Sequence, residues 1–404
     1  MIRRNIPKNY LFVFFSNVQF TSGLWMIYLA GRGFSLIELG LLESIFHISS
    51  MIFEIPSGAL ADLIGRKYCR LSGRLLYFIS LVLMWTADTF LLQAAGFAVC
   101  AFGYNLESGA GEAFTYDTLK VLGEENRYKR IAGFVEVAFQ SGMIISFAIG
   151  GLTATNLGYD WVFIFSGAAA IISFLMGLTF QEPDFRTGVI HKSQDEKQPK
   201  NLKTFGKILV DSVKLIKSRP RIMFMIIFSE TVLTFTTSLF FYIQNYFKGS
   251  GRTETYIGIV YAVSAALSAT SSISAEWIEK KIGQKRLFVI LLAMLSLCLW
   301  GVAVSPFKAE FYIACGFIEG VTFIVVSDFL NRMIPSEIRA TVLSFQSMTF
   351  SLMMVILFPI IGTLAELYSF RTAFIMMAIA ASGLTSVYTI MSVLRGRRTT
   401  SEEA

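Results

Sequence analysis

Apolar runs of about 20 residues, separated by short polar segments, recur along the whole of this 404-residue chain. A helix needs about 20 mainly apolar residues to cross a bilayer, so each run predicts one membrane span. In the first half, the runs place spans near 9–30, 37–57, 73–93, 95–116, 131–154 and 160–180. In the second half, they place spans near 221–246, 255–277, 286–305, 309–331, 341–365 and 370–394. The pattern predicts an all-α membrane protein with twelve transmembrane helices.

A polar stretch between the sixth and seventh spans divides the chain. We predict an N-terminal six-helix bundle over 1–181, a cytoplasmic linker over 182–219 and a C-terminal six-helix bundle over 220–404. Within the linker, residues 202–216 carry apolar side chains at helical spacing among lysines. This pattern is typical of a basic amphipathic helix lying on the inner leaflet, and a short solvated helix is the alternative.

The composition and the distribution of cations support a membrane location. The chain is 54% hydrophobic and 16% charged, whereas a soluble domain carries about 25% charged residues. The net charge of +7 does not indicate nucleic-acid binding, because the cations fall in short loops between apolar spans. Lysines and arginines cluster on one face, which predicts that both termini are cytoplasmic. Only five cations lie on the opposite face: Arg32, Lys248, Arg252, Lys308 and Arg371.

The turn after the second span carries four cations that cannot lie in hydrocarbon: Arg66, Lys67, Arg70 and Arg74. We therefore place this turn on the cytoplasmic face of the membrane, as part of a multi-pass protein.

Three acidic residues fall near the middle of predicted spans: Glu107, Glu230 and Glu319. A charged side chain at the bilayer centre costs about 2.5–3.5 kcal/mol on insertion scales, so each acid must face a cavity, take a proton or find a partner. Glu107 is the first candidate for proton coupling or for binding a cationic substrate. A structural hydrogen bond to a neighbouring helix is the alternative for Glu107.

The loop after the second span has a distinctive spacing of small and charged residues: Gly58, Asp62, Gly65, Arg66 and Lys67. It resembles the signature loop between transmembrane helices 2 and 3 of the major facilitator superfamily. The preceding Glu-x-Pro-Ser-Gly, beginning at Glu54, resembles a bacterial sub-group often labelled drug exporters. A partial second copy surrounds Gly283, as expected if the two halves are inverted repeats.

The resemblance implies a central cavity lined by spans 1, 4, 7 and 10. On that basis six residues are grouped as the candidate cavity for proton and substrate: Asn17, Gln19, Asn105, Glu107, Glu230 and Glu319. Aromatic residues are candidates for its walls: Phe20, Trp25, Tyr28, Phe235, Phe240 and Tyr242. The resemblance also implies that Asp62, Arg66 and Asp117 form a charge relay on the inner face.

Two positions depart from the pattern of proton-driven exporters. Asn105 stands where many of them carry an arginine in the fourth span. In the fifth span, Gly133, Gly142 and Gly150 match the antiporter glycine spacing, but Ser146-Phe147 replaces the central Gly-Pro. These glycines otherwise indicate close helix packing.

Several classes of chemistry lack a signature. No nucleotide-binding loop occurs, the four cysteines have no metal-like spacing, and we assign no cofactor, no metal and no enzyme activity. The two histidines, His47 and His191, have no evident partner set. We predict a monomeric secondary transporter that exports small lipophilic or cationic compounds in exchange for protons. An uptake or exchange carrier for a small metabolite is the alternative, and a receptor or scaffold fits the mid-membrane acids poorly.

Overall fold

The computed structural model describes residues 2–183, 219–334 and 336–402, and it is built from helices throughout these ranges. Its helices, in chain order, are α1 (Asn5–Asn17), α2 (Trp25–Gly31), α3 (Leu36–Ile64), α4 (Arg66–Thr86), α5 (Phe90–Val121), α6 (Tyr128–Asn156), α7 (Tyr159–Leu178), α8 (Pro220–Gly249), α9 (Glu254–Ile282), α10 (Gln284–Val304), α11 (Lys308–Met333), α12 (Ser336–Leu367) and α13 (Phe370–Glu402). The predicted all-α class is confirmed. The predicted amphipathic helix over 202–216 lies outside the described residues.

Nine of the helices in the described chain are long and apolar enough to cross a membrane. The other predicted spans are the first, which is interrupted, and the third and fourth, which correspond to α4 and α5. Both α4 and α5 contain several charged residues, so their apolar windows are weaker. The weakest predicted boundary, between spans three and four, falls where α4 ends at Thr86 and α5 begins at Phe90.

The first span differs from the continuous helix that its apolar run predicts. α1 ends at Asn17 and α2 begins at Trp25, with a turn between them. The carbonyl of Ser16, near the end of α1, accepts hydrogen bonds from Gln19 Nε2 (2.9 Å) and Arg74 Nη1 (3.0 Å). A backbone carbonyl freed inside a membrane needs such partners, so these side chains allow the helix to stop there.

The helices form two bundles that meet along three pairs of helices: α3 with α12, α6 with α9, and α2 with α8. Glycines allow the closest approach. A methyl group on Gly151 of α6 would collide with the backbone of Glu254 in α9, and one on Gly258 would collide with the carbonyl of Phe147. On the other side, a methyl group on Gly40 would lie 3.0 Å from the Cα of Pro359.

Three hydrogen bonds between the bundles lie at the ends that the charge pattern predicts to be outside. Tyr159 donates to Glu254 (2.8 Å), and the Thr255 N–H donates to Thr155 Oγ1 (2.9 Å). The Leu36 N–H, at the start of α3, donates to the carboxylate of Glu366 (2.8 Å). The bundles are therefore joined at their outer ends.

The two signature-like turns have the same backbone geometry. Gly65 joins α3 to α4 with a φ of +100°, and Gly283 joins α9 to α10 with a φ of +83°. These φ values lie in a region that side chains other than glycine rarely adopt. The shared geometry is what repeated halves would produce, although the side chains around Gly283 match only in part.

The three glycines of the fifth span do not have equal surroundings. A methyl group on Gly142 would lie 2.7 Å from the carbonyl oxygen of Phe14, and one on Gly150 would lie 2.7 Å from that of Phe20. Both glycines therefore hold α6 against the interrupted first span. A methyl group on Gly133 would meet no atom within 4 Å, so this glycine does not take part in the packing.

Gly150→Ala should lower the stability of the protein by about 1–3 kcal/mol, because the methyl group must push the backbone of Phe20 away. Gly133→Ala, on the same helix, is the matched control and should be neutral or slightly stabilising, since alanine favours the helix. Thermal unfolding of the purified variants in one detergent measures the difference. Equal losses in the two variants would contradict the packing role.

Candidate functional site

The turn between α3 and α4 is held by an acid from the far end of the N-terminal bundle. Glu182 accepts the backbone N–H of Arg66 at Oε1 (2.7 Å) and that of Lys67 at Oε2 (2.8 Å). Its carboxylate thus caps the first turn of α4, where the helix dipole favours negative charge. A Cβ on Gly65 would lie 2.9 Å from this carboxylate. Gly65 is therefore required by close contact as well as by its backbone angle.

The sequence did not reveal the role of Glu182, which we assigned to the start of the linker. An acid just after a span has no local signature for capping a helix more than a hundred residues earlier. Lys67 strengthens the same contact, because its Nζ donates to the carbonyl of Leu178 (2.9 Å). Gly58 lies within α3, and a methyl group there would meet no atom within 4 Å, so the turn does not need Gly58 for packing.

Part of the charge relay is present in the structure. Arg66 Nε lies 3.6 Å from Asp117 Oδ2, which joins α4 to the inner end of α5. The side chain of Asp62, the third predicted member, is outside the described part of the structure. The relay therefore stays a prediction with one of its pairs in place.

Glu107 has a partner that the sequence interpretation placed elsewhere. Arg70 donates to Glu107 Oε1 from Nε (3.0 Å) and Nη2 (2.9 Å), and its Nη1 donates to Asn9 Oδ1 (2.7 Å). The guanidinium lies against three aromatic rings, with centroid distances of 4.2 Å to Phe12, 5.2 Å to Phe114 and 5.3 Å to Phe180. Arg70 is fully buried.

The placement of Arg70 and Arg74 in a cytoplasmic turn is therefore wrong. Both lie on α4 inside the N-terminal bundle, where Arg70 neutralises Glu107 and Arg74 bonds to the end of α1. One signal was available in the sequence. Arg66, Arg70 and Arg74 recur every four residues, which puts them on one face of a helix rather than along a turn.

A cavity of about 420 Å³ within the N-terminal bundle brings together three of the predicted cavity residues: Asn17, Gln19 and Glu107. The side chain of Gln19 is held by Tyr104, whose hydroxyl donates to Gln19 Oε1 (2.6 Å). Asn17 Nδ2 donates to the carbonyl of Val13 one turn earlier (2.8 Å). Asn105 is placed differently, because it exchanges hydrogen bonds with Ser50 of α3 at 2.6 and 2.9 Å.

Glu230 and Glu319 line a second cavity of about 430 Å³, within the C-terminal bundle. Glu230 Oε1 accepts hydrogen bonds from Ser229 Oγ (2.7 Å) and Gln346 Nε2 (2.7 Å). Neither lysine nor arginine is among the described residues that line this cavity. The predicted acids thus lie in two cavities, one in each bundle, and only Glu107 has a cationic partner there.

A third cavity of about 360 Å³, the central pocket, lies where the bundles meet, and nine of the described residues that line it are aromatic. Trp25 packs between Phe97 (centroids 5.1 Å apart) and Phe241 (5.5 Å), and Phe147 faces Phe240 (5.7 Å). Among the predicted aromatic residues, Trp25 and Phe240 line this pocket. The others pack elsewhere: Tyr28 against Phe163, Tyr242 against Phe358 and Phe20 against Phe165, while Phe235 is buried.

His47 was also misjudged, because it does have partners. Its Nε2 lies 3.5 Å from Glu43 Oε1, and its Nδ1 lies 3.4 Å from Ser351 Oγ of the other bundle. Glu43 and His47 are both buried. Their i,i+4 spacing on one helix was a usable signal that the sequence interpretation passed over. Glu43 itself lines the central pocket.

A family model described as Major Facilitator Superfamily matches residues 10–356. The chain belongs to the major facilitator superfamily. Its relatives include the uncharacterized MFS-type transporter YxaM of Bacillus subtilis (strain 168), 22% identical over 388 residues that cover 93% of this chain and 92% of the relative. Quinolone resistance protein NorA of Staphylococcus aureus is 23% identical over 168 residues, which is 42% of each chain.

Solved structures share the fold of this superfamily member. A crystal structure of nucleoside transporter NupG matches with a TM-score of 0.73 at 16% identity, covering 95% of this chain and 96% of that one. A D-xylose-proton symporter matches with a TM-score of 0.67 at 15% identity, covering 94% and 96%. At these identities the likeness shows the fold alone. The protein is a multi-pass membrane transporter of the major facilitator superfamily and not an enzyme.

The Arg70–Glu107 pair should be essential to the stability of the N-terminal bundle. Arg70→Met leaves a carboxylate without its buried cation and should cost about 3–5 kcal/mol. Arg70→Met combined with Glu107→Gln removes both charges, so we expect the double variant to recover much of that loss. Thermal unfolding of the two single variants and the double variant gives the coupling. A double variant as unstable as the sum of the single changes would contradict a direct pair.

Glu182→Ala should expose the first N–H groups of α4 and cost about 0.5–2 kcal/mol, the usual range for a lost N-terminal cap. Glu182→Gln keeps an acceptor oxygen without the charge and should lose less. Glu125→Ala, at a surface turn, serves as an acidic control. Unfolding temperatures that rank Glu182→Gln below Glu182→Ala would rule out capping by the carboxylate.

Proposed function

We propose that this transporter exports small lipophilic or cationic compounds in exchange for protons, by alternating access. The observation that carries the proposal is the cavity that holds Glu230 and Glu319 without a lining cation among the described residues. A buried carboxylate without a cationic partner is expensive to keep ionised, whereas a protonated one is not. These two acids are therefore the best candidates to take up and release the coupling proton.

Glu107 is a weaker candidate for coupling than the sequence suggested. Its carboxylate is already engaged by the buried guanidinium of Arg70, which donates to it from Nε and Nη2. We assign Glu107 and Arg70 to the framework of the N-terminal cavity. Asn17 and Gln19 remain proposed contacts for a substrate that passes through this cavity, and Asn105 is proposed to position α5 against α3.

Alternating access is supported by where the bundles touch. The contacts of Glu254 with Tyr159 and of Glu366 with Leu36 join the outer ends, which favours an inward-facing assignment for this structure. Opening outward requires these bonds to break and the inner ends to approach. Asp62, Arg66 and Asp117 are proposed to hold the inner ends in that second state.

Two resemblances favour export. The Glu-x-Pro-Ser-Gly run beginning at Glu54 suggests the exporter-like bacterial sub-group, and NorA carries a quinolone-resistance description. The glycines of α6 keep the antiporter spacing, with Gly142 and Gly150 in close contact. We propose that the protein works as a monomer in the bacterial inner membrane, with both termini in the cytoplasm.

The alternative function is uptake or exchange of a small metabolite. Asn105 in place of arginine and Ser146-Phe147 in place of Gly-Pro favour it, and the matched structures include a nucleoside transporter and a D-xylose-proton symporter. Drug-susceptibility testing separates the two functions. Expression in a bacterium that lacks its main exporters should raise resistance to lipophilic cations if export is correct, and should leave it unchanged if the alternative is correct.

Glu230→Gln and Glu319→Gln should each abolish transport driven by a proton gradient, because glutamine cannot bind and release a proton. The assay is uptake of a fluorescent lipophilic cation into inverted membrane vesicles after an imposed pH step, with expression levels matched. Both variants should fall to the level of vesicles without the protein. Glu125→Gln, at a surface turn, is the control and should transport normally. Gradient-driven uptake by both variants would remove Glu230 and Glu319 from the coupling step.

A further inference from the structure

Glu43 and His47 form a buried pair in the outer half of α3 that the transport mechanism proposed above does not use. His47 Nε2 lies 3.5 Å from Glu43 Oε1, and both side chains are less than a tenth exposed. Histidine is the side chain whose charge ordinarily changes between about pH 5 and about pH 8. The pair therefore has zero net charge when His47 carries a proton and a charge of −1 when His47 is neutral and Glu43 is ionised.

The pair lies at the contact between the bundles. His47 Nδ1 faces Ser351 of α12 at 3.4 Å, and the imidazole packs edge-on against Phe350 with ring centroids 5.3 Å apart. On the other side, Glu43 reaches the central pocket of about 360 Å³. A change in the charge of this pair would therefore alter the electrostatic potential both in the central pocket and at the interface that must open during transport.

The central pocket has the chemistry of a site for a lipophilic cation. Glu43 is the single charged residue among the described residues that line it. Rings from both bundles surround the space, with Trp25 and Phe147 from one and Phe240 and Phe241 from the other. Aromatic faces attract cations, and a desolvated carboxylate supplies the opposite charge. A neutral or anionic ligand would leave that carboxylate without a partner.

The other titratable or charged groups near Glu43 do not ordinarily change charge in the pH range in which histidine does. Cys100 and Tyr104 of α5 and Tyr242 of α8 interact with the charge of Glu43. Tyr77 of α4 lines the same pocket, and Arg74 of α4 interacts with Cys100 and Tyr104. Phenols, thiols and guanidinium groups ordinarily change charge above neutral pH. At the outer end of α3, Glu366 of α12 bonds to the Leu36 N–H and Arg32 pairs with Asp88. These charges are engaged away from the pocket.

We propose that Glu43 binds the positive charge of the transported compound in the central pocket, and that a proton on His47 competes with that compound. The proposal rests on the proposed function for its class of substrate, a lipophilic cation. When His47 Nε2 binds one proton from water, the imidazolium pairs with Glu43 and the cation leaves. When His47 releases that proton, Glu43 is again available to a cation, so one proton exchanges for one positive charge at this site.

The test measures binding of tetraphenylphosphonium to the purified full-length protein from about pH 5 to about pH 8, the range in which histidine changes charge. Wild-type affinity should rise with pH. Glu43→Gln should weaken binding at the upper pH by about tenfold, which corresponds to about 1.4 kcal/mol. His47→Gln should bind equally well across the range, at close to the wild-type affinity of the upper pH.

Two control variants separate this site from the rest of the protein. His191→Gln removes the other histidine of the chain, and Glu125→Gln removes an acid at a surface turn; both should keep the wild-type pH dependence. Binding of a neutral triphenyl compound should change little in Glu43→Gln, because the aromatic wall is intact. If Glu43→Gln does not fold, Glu43→Asp keeps the charge and should keep the pH dependence, and His47→Gln decides the outcome.

The outcomes distinguish the two proposals. Wild-type binding together with an unchanged pH dependence in His47→Gln, or an unchanged affinity in Glu43→Gln, would overturn this inference and leave the proposed export function standing. No binding of tetraphenylphosphonium by the wild-type protein would overturn the proposed substrate class, and this inference with it. The site is established if Glu43→Gln weakens binding and His47→Gln removes its pH dependence, while the two control variants bind as the wild-type protein does.

Discussion

Hydrocarbon does not solvate charge, and the ionised side chains of this transporter are arranged around that constraint. Arg70 and Glu107 are the clearest case, since each neutralises the other and the guanidinium is covered by Phe12, Phe114 and Phe180. An unpaired charge in the same place would cost several kcal/mol. The pair therefore ties α4 to α5, and through Asn9 it ties both helices to α1.

The same constraint explains the interrupted first span. A helix that stops inside a membrane leaves backbone carbonyls that water cannot reach, so another part of the protein must satisfy them. Arg74 and Gln19 donate to the carbonyl of Ser16, and α6 packs against the turn through Gly150. The interruption places Gln19 and Trp25 beside the central pocket, where a straight helix would carry them past it in a different register. Gln19 thus both satisfies the end of α1 and lines the candidate substrate pocket.

Charge pairing also distinguishes groups that support the fold from groups that can change their state. Glu107 and Glu182 each accept hydrogen bonds that hold them in one place, from Arg70 and from the first turn of α4 respectively. Glu230 has neutral hydrogen-bond partners, and Glu43 lies beside a histidine of the same helix. A transporter that exchanges protons needs groups of the second kind at a place where both bundles meet or open. Glycine contacts near the outer ends bring the backbones of the two bundles together with little side-chain volume between them.

The sequence by itself determined the all-α membrane class of the protein and the family to which it belongs. Length and hydropathy decide whether a segment can cross a bilayer, so a span can be recognised from the residues within it. The turn at Gly65 depends on local backbone angles, so it too can be recognised from neighbouring residues. The sequence also identified Glu107, Glu230 and Glu319 as acids whose charge is expensive to place inside a membrane. Only the tertiary structure decided which of these acids has a cation beside it, where the first span breaks, that Glu182 caps α4, and that His47 meets Ser351 of the other bundle. Those outcomes depend on contacts between helices far apart in the chain. The periodicity of one helix shows which of its faces is polar, but it does not show which residues of another helix pack against that face.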